Sequence, residues 1–430
     1  MQEHVAPLQV VAAGLRAVPA LAEPFASTMG AWRFWRNPHA SLTTVAQPLL
    51  DAARAAVPVE CLDYALVPID WSQLHYNTHT SKQDRIDLTN SKDLGYELLT
   101  GLLISDQDGQ PIAPLCHDLL AADGLHSTRH QHICQPPTKL DRIAPVMRFV
   151  ENQNLGKPPV FIIDREADSV DHYRRWDRQG RLFLVRADDN RRVSHDGQSL
   201  LLPEVVDELL RKGAFHDARE VLYHGTKSRQ WVAETEIILD RPSKQKGGRV
   251  SKRGKALRLR LVVAQVRDEA GTVLAQWLLM TNVPAEVSAD RVALWYYWRW
   301  KIETYFKLLK GAGLHLEHWQ QETARATAKR LAVAGMACVL VWKVARSERP
   351  EGQTLRDILV RLSGRQVNRE DGFTEPSLLA GLYVLLNALE IVEHYDPQEL
   401  RRLLTAVLQP APEPPHRRPK RPLSVQPDTG

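Results

Sequence analysis

Cysteine is scarce. The four in 430 residues (Cys61, Cys116, Cys134 and Cys338) include no C-x-x-C pair, which leaves no disulfide framework and fits a reduced, cytoplasmic setting. The N-terminus lacks a basic n-region, and Arg16 and Pro19 interrupt its apolar run, so no secretory leader is expected. Long hydrophobic runs are missing too. The longest, Leu331 to Trp342, is too short to span a bilayer and reads as a buried helix, so no membrane association is expected. Negative charge is absent from one stretch: from Arg241 to Arg260 there are nine basic residues and no acidic one, although the whole chain carries a formal net charge of only +5. No internal repeat is visible.

What is present is the material of an ordinary soluble protein, with 43% hydrophobic and 25% charged residues and length enough for about two or three domains. Residues 1–60 read as Ala-rich amphipathic helices broken by Pro19, Pro24 and Pro38. From Tyr64 the pattern changes to three strands (YALVPIDWSQLHY, YELLTGLLISD, PIAPLCHDLL), with the D-Q-D-G at 106–109 as a hairpin turn. A helix over Lys139 to Glu151, a buried strand PPVFIID ending at Asp164, a helix from near Ser169 and a strand RLFLVRAD follow. Three antiparallel strands, then helix, strand, helix and strand, make an α/β pattern of the ribonuclease-H-like kind. Asp70 falls on its first strand and Asp164 at the C-terminal end of its fourth, and strand ends in open α/β sheets are where ligands bind. The expected division is a helical region over 1–60, an α/β core over 61–189 and 288–345, and an inserted β subdomain over 190–287. A helical C-terminal region over 346–410 and a disordered, basic, Pro-rich tail over 411–430 complete it.

Tyr296, Arg299, Glu303 and Lys310 stand three, four and seven residues apart, which predicts one polar stripe on a single α-helix. Trp295, Trp298, Ile302, Tyr305 and Leu309 form an apolar stripe beside it, able to bury while the polar one faces a cleft. A solvated helix flank with an Arg299–Glu303 pair has the same spacing, so the stripe gains meaning only with the two aspartates. Asp70 alone fits a loop or cap, and Asp164, like Asp168, fits a helix-start charge. Together, two aspartates and a glutamate converging on one cleft need a counter-charge. Hard divalent cations with oxygen ligands supply it, Mg²⁺ or Mn²⁺ being the natural choice, and two such ions serve an in-line phosphoryl displacement. Arg299 as a fork and Lys310 as a point charge would then hold phosphates, with Tyr296 donating to a phosphate oxygen.

These residues resemble the DDE transposases of the insertion-sequence-four family. The resemblance rests on Y-x2-R-x3-E-x6-K at Tyr296, Arg299, Glu303 and Lys310, on the strand plus D-R-E-A-D at Asp164, and on the acidic Asp70. Q-W-L-L-M-T at 276–281 and G-A-W-R-F-W-R-N-P at 30–38 also match, so that residues 30–345 are covered in order. It implies a ribonuclease-H-like catalytic core with Asp70, Asp164 and Glu303 as catalytic metal ligands for Mg²⁺ or Mn²⁺. It also implies a homodimer acting on double-stranded DNA, both transposon ends and target, in the bacterial cytoplasm at the nucleoid. The implied reaction is cut-and-paste: nicking, hairpin formation and opening, then strand transfer. Trp277 matches an aromatic position that stacks on a flipped base, an interaction of about 1–3 kcal/mol, although Leu278 and Leu279 beside it suit a core tryptophan equally. A metal-dependent nuclease of the same core, or an inactive transposase-derived DNA-binding inhibitor, are the rival readings.

Further DNA contacts are expected at Arg33 and Arg36, interleaved with Trp32, Phe34 and Trp35, where the family places part of its DNA-end contacts and where the aromatics could instead pack the N-terminal helices. A second set is Arg249, Lys252, Arg253 and Lys255, in the acid-free loop with Gly247, Gly248 and Gly254. Such a loop would track phosphates in a salt-dependent way, or simply be solvated. His126, His130, His132 and Cys134 invite a zinc reading, but no second ligand pair follows and the segment is polar.

Overall fold

The structure, a computed structural model, describes residues 24–90, 92–130, 138–240, 254–311, 314–367 and 372–408. Helices α1 (Pro24–Arg36) and α2 (Leu42–Glu60) lead into β1 (Ala65–His75), β2 (Ile86–Asp87), β3 (Leu94–Ser105), β4 (Pro111–Ala121) and β5 (Gly124–Ser127). Helix α3 (Ile143–Glu151), β6 (Pro159–Ile163), α4 (Val170–Arg178) and β7 (Leu182–Arg186) follow. Then come β8 (Arg192–His195), β9 (Gln198–Leu201), α5 (Leu202–Arg211), β10 (His216–Tyr223), β11 (Thr226–Leu239), β12 (Leu257–Arg267) and β13 (Val273–Thr281). The rest is helical: α6 (Ala289–Trp298), α7 (Trp300–Lys310), α8 (Ala324–Arg346), α9 (Pro350–Ser363), α10 (Glu375–His394) and α11 (Pro397–Leu408).

All these strands join one mixed sheet in the order β5-β4-β3-β1-β6-β7-β13-β12-β11-β8-β9, with β10 also on β11 and β2 on β3. β1 runs antiparallel to β3 and parallel to β6, and β6 runs parallel to β7. This mixed α/β arrangement is consistent with the ribonuclease-H-like expectation. The runs PVFII and LFLVR of β6 and β7 are almost wholly buried, as central parallel strands covered on both faces require. The strands within residues 190–287 extend the same sheet, joined to it where Leu279 of β13 lies opposite Arg186 of β7.

Two packing features bear on stability. The first is a buried ion pair at the β4–β5 edge: Arg129 donates from Nε to Asp118 Oδ1 at 3.1 Å and from Nη2 to Oδ2 at 2.5 Å. Ser127 Oγ adds a 2.5 Å bond to Asp118 Oδ1. The second is the β3–β4 turn. Gly109 sits at φ +70, and a Cβ there would lie 2.3 Å from the Trp298 ring, so only glycine fits both the left-handed backbone and the contact. Gly109→Ala is expected to cost about 1–3 kcal/mol through backbone strain, plus the displacement of Trp298. A fall in thermal melting temperature checks it, and an unchanged midpoint would contradict the contact.

The sequence predicts one helix across Tyr296 to Lys310, and here the structure differs: α6 stops at Trp298 and α7 starts at Trp300. Across the junction, Arg299 N–H bonds to Tyr296 O at 3.1 Å and Ile302 N–H to Arg299 O at 3.1 Å. These three-residue bonds tighten the turn, which sits where Trp298 lies against Gly109. The apolar stripe does bury, with Trp295, Ile302, Tyr305 and Leu309 fully inside. Leu331 to Trp342 lies within α8, which is buried along most of its length. One helix, α10, is long and apolar enough by length and composition to cross a membrane. It packs on α8 and α9 and buries Leu378, Leu379 and Tyr383.

Candidate active site

Strand register brings the two aspartates together. Ile69 of β1 is paired with Ile163 of β6, and the next residues are Asp70 and Asp164. β6 ends there, while β1 continues to His75 against β3. Asp70 Oδ1 accepts the Trp71 N–H at 2.8 Å. Asp164 Oδ1 caps the following turn by accepting the Glu166 N–H at 3.0 Å, as a short side chain at a helix start does. The aspartates therefore each keep a second oxygen for the cleft.

Arg299, at the junction of α6 and α7, points into that cleft. Its Nη1 donates to Asp70 Oδ2 at 2.6 Å, and its Nη2 lies 3.8 Å from Asp164 Oδ2 and 3.7 Å from Glu303 Oε1. Three carboxylates from β1, the end of β6 and α7 thus face one guanidinium, whose side chain is 5% exposed. Burial pushes the Asp70 carboxyl up to about 6, against the pull of Arg299 and the Trp71 N–H, with Glu303 and Asp164 adding to the rise. Burial opposes the charge on Arg299, yet Tyr296, Asp70, Asp164 and Glu303 outweigh it and raise its pKa. The Tyr296 hydroxyl is raised by burial.

The donor set fits a hard divalent cation. All three groups are oxygen ligands, and one guanidinium against three carboxylates leaves two negative charges, which favours Mg²⁺ or Mn²⁺ over soft metals. Two groups among the described residues have ligand atoms close enough together to share an ion, Asp84 with Asp123 and His126, and His195 with Asp196 and Glu208; the oxygens of Asp70, Asp164 and Glu303 stand farther apart, around Arg299. Both of the closer groups have structural duties. Asp84 accepts from Tyr96 Oη and from Ala324 N, and His195 is held between Glu208 and Thr235. His126 bonds to Asp123 at 2.9 Å and His130 packs edge-on to Phe149. His132 and Cys134 lie outside the described residues.

Residues 137–341 match the family model described as the transposase DDE domain. This supports a DDE transposase. The matched stretch holds Asp164, Trp277, Arg299 and Glu303; Asp70 precedes it and joins the site through the β1–β6 pairing. No curated protein matches the chain.

The remaining sequence candidates fall in several environments. Lys310 donates to Gln73 O and lies 3.4 Å from Glu317, so it ties the end of α7 to β1. Tyr296 is buried, its ring 5.8 Å from the Arg299 guanidinium carbon and 6.3 Å from the Trp277 ring. Trp277 is 9% exposed, which is the core packing its neighbours suggest, yet one face lines a cleft of ≈ 730 Å³. Arg33 is exposed, while Arg36 stacks over Trp32 and pairs with Glu322 at 3.0 Å. Lys255 is exposed, and Arg249, Lys252 and Arg253 lie outside the described residues. Arg258 and Arg260 of the same basic run are paired along the β11–β12 ladder with Glu236 and Glu234.

The cleft beside Trp277 also gathers residues the sequence reading passed over: Tyr223, His224, Trp300, Lys301 and Lys307. Trp300 is the one with a legible signal, a large apolar side chain next to Arg299 and off the buried stripe. It is 51% exposed, an aromatic face open at the edge of the cleft.

Proposed function

We propose that the protein is a Mg²⁺- or Mn²⁺-dependent DDE transposase that moves an insertion sequence by cut-and-paste. The observation that carries this reading is the convergence of Asp70, Asp164 and Glu303 on one guanidinium, within a chain that matches the transposase DDE domain. Asp70, Asp164 and Glu303 would hold the metal, which supplies activation of the attacking oxygen and stabilisation of the leaving oxygen at a phosphodiester. Arg299 binds the adjacent phosphate through its fork. Tyr296 limits where that side chain can turn, and Lys310 fixes α7 against β1 so that Glu303 stays in register with the aspartates. Lys301 and Lys307 at the cleft edge track the DNA backbone, with Arg33, Arg36 and Lys255 as outlying contacts. A base displaced during hairpin formation stacks in the aromatic cleft. The exposed Leu389, Val392, Leu403 and Leu404 of α10 and α11 offer the apolar surface on which a second copy would dock.

The test is a plasmid carrying the gene and its native flanks, incubated with purified protein and Mg²⁺ and resolved on a denaturing gel. Hairpin-ended fragments released at the flanks support the reading. Cutting without hairpins favours a nuclease, and binding without cutting favours an inactive DNA-binding relative. Trp300→Ala is expected to nick normally but form hairpins about 5- to 150-fold more slowly, the loss of one base stack of about 1–3 kcal/mol. Its exposure makes it the cleaner variant than Trp277→Ala, whose buried ring risks folding; equal loss of nicking and hairpin formation would remove Trp300 from base stacking.

The site also sets a pH dependence. With Asp70 raised to about 6, its protonated form dominates below that pH and excludes a metal. Mn²⁺ affinity is expected to be flat above about pH 7 and to fall up to about tenfold per unit below 6, whereas an unshifted aspartate would fall only near 4. Titration calorimetry between pH 5 and pH 8, values chosen to span about one unit or more on either side of the shifted carboxyl, distinguishes the two.

A further inference from the structure

The same guanidinium has a second use. Building on the reading that Asp70, Asp164 and Glu303 hold a metal, we propose that Arg299 is their exchangeable counter-ion. It holds the three carboxylates together until a divalent cation takes their oxygens, then turns to a DNA phosphate, so that metal and DNA strengthen each other's binding.

Three observations support exchange over a permanent clamp. First, guanidinium and metal want the same oxygens. Arg299 Nη1 already engages Asp70 Oδ2 at 2.6 Å, and Nη2 faces Asp164 Oδ2 and Glu303 Oε1. A divalent cation on those ligands would meet a positive charge in a site only 5% exposed at Arg299, where screening is weak and like charges repel strongly. Second, the grip is incomplete. Of its contacts to the three carboxylates only the one to Asp70 is within hydrogen-bond distance, and the buried Nε has no hydrogen-bond partner. A buried donor without a partner is costly, so part of the attraction that holds Arg299 here is offset. Third, an exit is built in. The guanidinium carbon lies 5.6 Å from the ring of Trp300, which is 51% exposed at the cleft edge, and 5.8 Å from Tyr296. An arginine leaving the carboxylates can keep an aromatic face under its charge while it moves towards the cleft. Linkage makes the consequence reciprocal: a phosphate that captures Arg299 removes the metal's competitor, and a metal that expels Arg299 frees a phosphate ligand.

The two roles predict opposite signs. A permanent clamp organises the ligands, so its removal weakens metal binding; a competitor's removal strengthens it. Full-length wild-type protein, Arg299→Gln, Arg299→Lys and Glu303→Gln are stripped with EDTA and titrated with Mn²⁺, following free Mn²⁺ by electron paramagnetic resonance. Arg299→Gln is expected to bind about tenfold tighter or more, Arg299→Lys to stay as weak as wild type because it keeps the charge, and Glu303→Gln to lose the site. In EDTA the Gln variant melts below wild type because the carboxylates lose their counter-ion, and saturating Mn²⁺ closes the gap. Binding in Arg299→Gln that is unchanged or weaker, with Glu303→Gln still defective, overturns the exchange while leaving the metal reading intact. A Lys variant as tight as the Gln variant overturns it as well. Equal Mn²⁺ binding in all four proteins overturns the metal reading itself. If Arg299→Gln does not fold even with Mn²⁺, Arg299→Met is read by the same criteria.

Discussion

Glu303→Gln is expected to slow strand cleavage about 10³-fold or more while leaving the protein folded. On the proposed role of Glu303 the chemistry loses one negative ligand, and a deficit of about 4 kcal/mol in transition-state stabilisation already gives that factor. The fold loses little. Glu303 is 35% exposed in its side chain, its contact with Arg299 is a 3.7 Å ion pair rather than a hydrogen bond, and Arg299 keeps its hydrogen bond to Asp70 without it. Single-turnover cleavage on a denaturing gel, run beside a thermal melt, separates the two effects. A variant that cuts at the wild-type rate would remove Glu303 from the site, and one that no longer melts cooperatively would make the loss structural. Glutamine preserves volume and one acceptor oxygen while removing the charge.

Arg129→Met carries the largest expected cost to stability, about 3–5 kcal/mol. It strands Asp118, whose side chain is fully buried and whose partner is itself 2% exposed. Burial alone would lower the pKa of Arg129, but Asp118 outweighs it and raises it, so the two charges depend on each other. Ser127 Oγ still donates to Asp118, which softens the loss without cancelling a buried charge. Urea denaturation followed by circular dichroism measures it. Asp118→Asn combined with Arg129→Met should recover part of the loss, since no unpaired charge remains; an additive double variant would mean the pair contributes through packing alone.

Much of this geometry is legible in the sequence because it depends on local periodicity. An unbroken apolar run ending in aspartate locates Asp164 at a strand end, and helical spacing places Arg299 and Glu303 on one side of one segment. What was not legible depends on partners far away in the chain. The break at Arg299 accompanies Trp298 packing over Gly109, a residue in a hairpin turn of another element. Lys310 reads as a phosphate ligand until Gln73 and Glu317 are found beside it. Nothing in the spacing of 190–287 says that those strands would continue the core sheet, because strand pairing is non-local and the link is made by β13 reaching back to β7. The aromatic cleft is hidden for the same reason, since β10, β13 and α7 contribute its walls.

The unequal lengths of β1 and β6 give the site its depth. β6 stops at Ile163 while β1 runs on to His75, so past Ile69 this edge of β1 has no pairing with β6, and Glu317 accepts from the His75 N–H there. Such an edge invites another chain to pair with it. Arg299 against Asp70, Lys310 on Gln73 O and Glu317 on the His75 N–H cover that edge with charge, which guards it against a stray β-strand. Where the β1–β6 ladder stops, side chains take over the backbone groups of β1: the cleft is a ladder left unfinished.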